Sequence, residues 1–368
     1  MRAYLDHASS SPLRPEALAA MLPYLRDHPG DPGRLHAEGL TARVAVEEAR
    51  ERVAARFGAR AREVVFTSSG TEAVDTAIWG ALARAGGGHV VTTAVEHSAV
   101  LESVRRDATD FTEVEVDRLG RFDPDEVAAA IRPDTVLVSV QLANHEVGTC
   151  QSAPEVVAAA RARDVVVHVD ACAAAGHLTV DFAALGADLC SVTAHKFGGP
   201  KGVGALLVRR GLRFPPFVVG GAQERARRAG MENVPAIVGF GAAVDALDGD
   251  EARERALTSR LSAGALAVPG TERLGDPVDC VPHLVCLGVA DVEAEPVLLA
   301  LDQHGVAVHS GSSCSSEALE PSPVLAAMGV DADRSLRVSV GWSSTDADVD
   351  RFLAVFPDVL ERLRALRR

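Results

Sequence analysis

Lysine is nearly absent from this chain. Lys and Arg together number 37, yet only Lys196 and Lys201 are lysines. The two cations are near-equivalent on most solvated surfaces, so a compositional bias toward arginine replaces lysine freely there. A surviving lysine is a candidate for work a guanidinium cannot do: an amine that loses its proton and condenses with a carbonyl. Both survivors fall in one segment, His195-Lys196-Phe197-Gly198-Gly199-Pro200-Lys201-Gly202. Chance retention of two surface lysines is the competing reading.

Other scarcities exclude whole classes. Aromatics are 4% of residues, so the core must rest on Ala, Val and Leu. Basic residues are outnumbered, 37 against 51 acidic ones, for a formal net charge of -14. Such a chain is a poor binder of nucleic acid or anionic membranes. No apolar run approaches the ~18–20 residues that span a bilayer. The opening Met-Arg-Ala-Tyr-Leu-Asp-His lacks a basic stretch followed by an apolar one, so no secretory signal is expected. None of the six cysteines forms a Cys-x-x-Cys pair, and their spacings match no zinc pattern. Cys190 and Cys286 lie in apolar strand-like runs and read as small buried hydrophobes. A reducing, cytoplasmic location is therefore expected.

What is present is ordinary globular protein, 47% hydrophobic and 24% charged. A length of 368 residues favours two domains. Up to about residue 208, strand patterns at 63–67, 89–94, 111–116, 135–141, 165–170, 188–194 and 203–208 are interleaved with helical ones. That rhythm predicts an α/β fold with a mostly parallel sheet, whose ligands bind at the carboxyl ends of strands. Residues 236–248 read as a connecting helix, and beyond 250 a smaller α+β unit follows. The expected division is 12–248 for a large cofactor-binding domain, and 1–11 with 249–368 for a small one.

Three strand ends carry chemistry. Thr67-Ser68-Ser69-Gly70-Thr71-Glu72 is a strand–turn–helix junction whose unpaired amides suit a phosphate, although an ordinary capped helix would look alike. Val165-Val166-Val167-His168-Val169-Asp170 ends an apolar strand in a carboxylate, which could cap a turn or hold a pyridinium nitrogen protonated. His195-Lys196 ends another, placing an amine among apolar and glycine residues. Cys314, in Ser310-Gly311-Ser312-Ser313-Cys314-Ser315-Ser316, differs from the other cysteines in its small, polar surroundings.

Taken in order, these segments form a pattern with Leu5-Asp6-His7-Ala8, Glu96-His97, Asn144-His145-Glu146-Val147-Gly148 and Gly220-Gly221-Ala222-Gln223-Glu224-Arg225. Leu319-Glu320-Pro321-Ser322 and Ser335-Leu336-Arg337-Val338-Ser339 complete it. The whole closely resembles the cysteine desulfurases, pyridoxal-phosphate enzymes of the class-V aminotransferase superfamily, and the Ser-Gly-Ser-Ser-Cys string is similar to the group with a longer cysteine loop. The resemblance implies a fold-type I architecture with pyridoxal 5'-phosphate as cofactor. It implies that Lys196 binds the cofactor covalently and moves the Cα proton, that Asp170 pairs with the ring nitrogen, and that His97 is catalytic, stacking on the ring where its imidazole can also relay protons. Gly70 and Thr71 would bind the phosphate with Thr193 and His195 assisting, and Asn144 would lie beside cofactor and substrate. Arg337 would pair with the carboxylate of L-cysteine, and Cys314 would take its sulfur as a persulfide for an acceptor protein or scaffold. A homodimer is implied as well.

Three positions depart from the family pattern. Ala173 stands where the family usually has a glutamine, Met231 where it has a phosphate-binding threonine, and Asp31 where it has an asparagine. A selenocysteine lyase, another C–S lyase, an aminotransferase and a weakly catalytic scaffold homologue therefore stay open. The sulfur could serve natural-product assembly or modification of DNA or tRNA.

Overall fold

The computed structural model describes residues 2–247, 249–310 and 321–366. Thirteen strands occur among them: β1 Ala3–Tyr4, β2 Val64–Thr67, β3 His89–Thr93, β4 Asp110–Val114, β5 Thr135–Gln141, β6 Val166–Asp170, β7 Leu189–Thr193, β8 Gly204–Val208, β9 Thr271–Leu274, β10 Leu284–Val289, β11 Val306–Ala307, β12 His309–Ser310 and β13 Ser335–Ser339. Seven form one sheet in the order β2-β8-β7-β6-β5-β3-β4. β4, β3, β5, β6 and β7 run parallel, and only β8 opposes its neighbours. β5, β6 and β7 are near-continuous runs of Val, Leu and small residues, the pattern of strands covered on both faces. The helices that cover them supply alanine, such as Ala73, Ala77 and Ala81 on one face and Ala49, Ala153 and Ala160 on the other. The expected α/β class is therefore the observed one.

A second sheet, β12-β13-β10-β9, is antiparallel and packs against the helices Asp250–Leu266 and Asp346–Leu366. Its apolar cluster is separate from the two beside the large sheet and includes Ala3 and Leu5 from the chain's start. The early segment then runs to the large sheet, where the Ser11 amide donates to the His195 carbonyl at 2.9 Å and the Arg14 amide to Gly198 at 2.8 Å. The turn bearing Lys196 is thus clasped by residues far from it in sequence.

Helices Pro15–Arg26 and Asp250–Leu266 and strand β9 carried no distinct sequence signal. In the segment Gln223–Ala226, Glu224, Arg225 and Ala226 all take left-handed backbone angles, with φ of 48°, 59° and 60°. Burial of the Glu224 carboxylate explains why this persists. It accepts from Arg50 at 2.7 and 2.8 Å and from the Phe66 amide at 2.9 Å.

Candidate active site

The carboxyl ends of β2, β3, β5, β6 and β7 open onto one cavity of about 180 Å³. Gly70, Thr71, His97, Asp170, Thr193, His195 and Lys196 line it, together with Ser69, Gln141, His145, Cys172 and Ala173. A larger, more open cleft of about 550 Å³ lies elsewhere. Its four carboxylates, Glu115, Asp117, Asp123 and Glu126, outnumber its one guanidinium, Arg121, so it disfavours a phosphate, and it offers no amine.

Each wall residue has a local reason for its place. Ser69 caps the helix Gly70–Ala85 by accepting from the Glu72 amide at 3.1 Å, and the first-turn residues Gly70 and Thr71, whose amides have no partner within the helix, line the cavity. Gly70 itself is a steric requirement. A Cβ there would stand 2.8 Å from Cys172 Sγ and 3.2 Å from Thr193 Cβ. Asp170, the last residue of β6, is buried and accepts from the Cys172 amide at 3.0 Å. His97 begins the helix Ser98–Asp107, its Nδ1 accepting from the Ala99 amide at 3.0 Å, and it meets His145 edge-on with ring centroids 4.9 Å apart. Lys196 ends a short 3-10 turn after β7, where Nζ donates to the Ala8 carbonyl and, at 3.4 Å, to that of Ser9.

Burial sets the protonation of several neighbours. It drives His195 down to about 4, with Lys196 and Lys201 adding to the effect, so the ring is neutral and pairs with Thr193 Oγ1 at 2.9 Å. His168 lies inside the sheet between the hydroxyls of Ser139 at 2.9 Å and Ser191 at 2.8 Å, and burial lowers it to about 4. Burial, with Asp170 beside it, raises the Cys172 thiol far above its ordinary value, so this cysteine is no thiolate nucleophile. Glu96 is buried beneath the wall, accepting from Thr93 Oγ1 at 2.6 Å and the Gln141 amide at 3.0 Å. Burial raises it to about 8, with nearby Asp170 adding to the rise, and its Oε2 has no partner among the described residues.

Asn144 and Arg337 are not on the wall of this cavity. The Asn144 amide closes its own loop: Nδ2 donates to Val95 at 3.1 Å, and Oδ1 accepts from the amides of Glu146 and Val147 at 2.8 and 2.9 Å. Arg337, on β13, reaches its rim. It donates to the carbonyl of His145 at 3.0 Å, to Ser9 Oγ at 2.5 Å and to Asp6 at 3.2 Å, and its buried Nε has no partner among the described residues. Cys314 lies outside the described residues. The wall positions Gln141 and His145 went unassigned in the sequence because neither ends an apolar run in a charged group.

The donor set and the cradle fit pyridoxal phosphate: an amine, a buried carboxylate, and a helix start where only a hydrogen is tolerated at Gly70. A family model described as aminotransferase class-V matches residues 3–352. The chain belongs to the class-V aminotransferase family. Its cofactor is pyridoxal phosphate, and within the family it groups with the cysteine desulfurases. A cysteine desulfurase of Methanosarcina thermophila is 40% identical over 373 residues, covering 98% of this chain and 92% of its own. One of Cereibacter sphaeroides is 42% identical over 376 residues, covering 99% and 97%. The solved structure of a NifS-like protein superposes with a TM-score of 0.91 at 31% identity, covering 99% of this chain and all of its own. No described helix is long and apolar enough to cross a membrane.

Proposed function

We propose that this class-V enzyme converts L-cysteine to L-alanine and retains the sulfur on Cys314 as a persulfide, for transfer to an acceptor protein or scaffold. The observation that carries the reading is the meeting, in one cavity, of the Lys196 amine, the buried Asp170 carboxylate and the helix start at Gly70. Pyridoxal phosphate supplies an electron sink for the carbon next to the substrate's carboxylate. The chain's own residues do the rest. Lys196 would hold the cofactor and carry the Cα proton, Asp170 would keep its ring nitrogen protonated, and His97 would lie against it. Gly70, Thr71, Thr193 and His195 would receive the phosphate, and Asn144 fixes the loop that places His145. Arg337, whose buried Nε has no partner among the described residues, would offer its guanidinium to the substrate carboxylate. The Cys314 thiolate attacks the substrate sulfur. A sulfur–sulfur bond forms and the Cβ–sulfur bond breaks. The departing electron pair stays with the three-carbon fragment, which takes up a proton and leaves as alanine.

The same reading includes a homodimer, a cytoplasmic location, and the division into 12–248 against 1–11 with 249–368. The separate apolar cluster of the antiparallel sheet supports the division. Val219 and Met231, 79% and 65% exposed on either side of the Gln223–Ala226 segment, suit burial by a second copy. The deciding experiment incubates the loaded protein with L-cysteine and a reductant and measures alanine and sulfide. Alanine and sulfide should form in equal amounts, and Cys314→Ser should abolish both. Undiminished sulfide release by Cys314→Ser would overturn the persulfide route.

A further inference from the structure

The turn that carries Lys196 is gripped from behind by side chains with no role in the chemistry above. The Lys196 carbonyl accepts from Ser11 Oγ at 2.9 Å and from His177 Nε2 at 3.3 Å. The other ring nitrogen of His177 meets the Glu254 carboxylate at 2.9 Å. Both side chains are almost fully buried, at 2% and 1% exposure. The approach of His177 depends on Gly176, which has φ of +87° and where a Cβ would come within 2.4 Å of Phe197. Only glycine lets this loop press against the residue after the lysine.

His283 stacks on His177, with ring centroids 3.5 Å apart and planes 13° off parallel. Two histidines and a glutamate this close are the donor types of a divalent-metal site. The near-parallel rings, however, send their lone pairs side by side instead of toward one point, and both His177 nitrogens already face an acceptor. The arrangement is that of a hydrogen-bonded clamp. Burial pushes His283 far below its ordinary value, with His177, Lys196, His7 and Arg337 contributing, so a neutral ring faces His177.

We propose that His177, oriented by Glu254, is a positioning residue that fixes the main chain of Lys196 and so the direction in which its amine enters the cavity. The proposal rests on the reading of Lys196 as the cofactor-bearing residue. A lysine amine stands at the end of four methylenes, and a small rotation of its peptide displaces it by an ångström or more. The 3-10 turn supplies little restraint of its own, being three residues long. The carbonyl of Lys196 therefore takes its orientation from outside, through Ser11 on one side and His177 on the other. Because Glu254 is 77 residues away in sequence, on a helix beside the smaller sheet, the clamp also ties that unit to the cofactor turn.

The test compares His177→Ala, His177→Gln and Glu254→Gln with the parent protein, each loaded with pyridoxal phosphate. Three quantities are read: the absorbance spectrum of the bound cofactor, kcat and KM for L-cysteine, and the urea midpoint. His177→Ala should lower kcat about ten- to a hundred-fold with little change in KM, and should alter the spectrum, as expected for a misplaced reacting group. His177→Gln, whose amide N–H can reach the same carbonyl, should recover most of the loss. Glu254→Gln keeps the shape and should fall between them; it serves as the probe if His177→Ala does not fold. Unchanged spectra and kcat would overturn the proposal. So would equal losses in the alanine and glutamine variants accompanied only by a lower urea midpoint. Lys196→Ala is the separate control: a parent-like spectrum in that variant would sink the cofactor assignment, whatever His177 does.

Discussion

Replacing Gly70 by alanine puts one methyl group where the structure has room only for hydrogen. The added carbon would stand 2.8 Å from Cys172 Sγ and 3.2 Å from Thr193 Cβ, both on the wall of the cofactor cavity. Backbone geometry does not oppose the change, because Gly70 is the first residue of a helix without a left-handed φ, and alanine favours helix by up to ~1 kcal/mol. Overpacking of this kind costs about 1–3 kcal/mol. The two effects partly cancel in the stability of the apoprotein, so its thermal midpoint should move little. They do not cancel for the cofactor, since the amides that receive the phosphate are on the turn that must shift. Pyridoxal phosphate should bind about 5- to 150-fold more weakly, as follows from that energy. Titration of the apoprotein with the cofactor, followed by absorbance, measures this directly. Adding Cys172→Ala to Gly70→Ala removes the tighter of the two contacts and should restore part of the affinity. If Gly70→Ala binds within two-fold of the parent, or the second substitution restores nothing, the cradle has been misjudged.

Three further outcomes can be checked. Glu224→Ala strips Arg50 of its buried partner and should destabilise the fold by roughly 3–5 kcal/mol in urea unfolding, whereas replacing both residues by apolar ones of similar volume should cost far less. Glu96 stays protonated in the folded chain up to about pH 8 but ionises near its ordinary 4.5 when unfolded, so its own contribution to stability falls as pH rises between these values and is the one that shows above about pH 6.5. Glu96→Gln should flatten that slope in urea midpoints. On the acid side, His168 and His195, lowered to about 4, and His7, lowered by burial to about 3, are neutral in the fold and protonate first in the unfolded chain. Stability should therefore drop as pH falls from about 6.5, and His168→Gln should reduce the proton uptake measured through that limb.

The large sheet could be read from the chain because its strands are local events. Runs such as Thr135–Gln141, Val166–Asp170 and Leu189–Thr193 are dominated by Val, Leu and small residues and end in polar ones, so pattern alone located them to within a residue or so. The scarcity of lysine drew attention to Lys196 before any fold was known. The carboxyl-end rule then placed Asp170, His195-Lys196 and the turn at Gly70 at one edge, and the family resemblance added Thr193.

What the order of residues could not reveal are pairings across long separations. Nothing in Gly176-His177 announces that Glu254 will meet it, or that Ser11 will share the same carbonyl. The Asp6 contact with Arg337 spans 331 positions, and the bond from Arg50 to Glu224 spans 174. These contacts exist because the early segment passes from the antiparallel sheet to the parallel one, and because buried charges must find partners wherever the packed chain presents them. Periodicity settles which residues face the interior and where a strand stops. Which distant side chain then fills the remaining hydrogen-bonding need is decided only when the layers close.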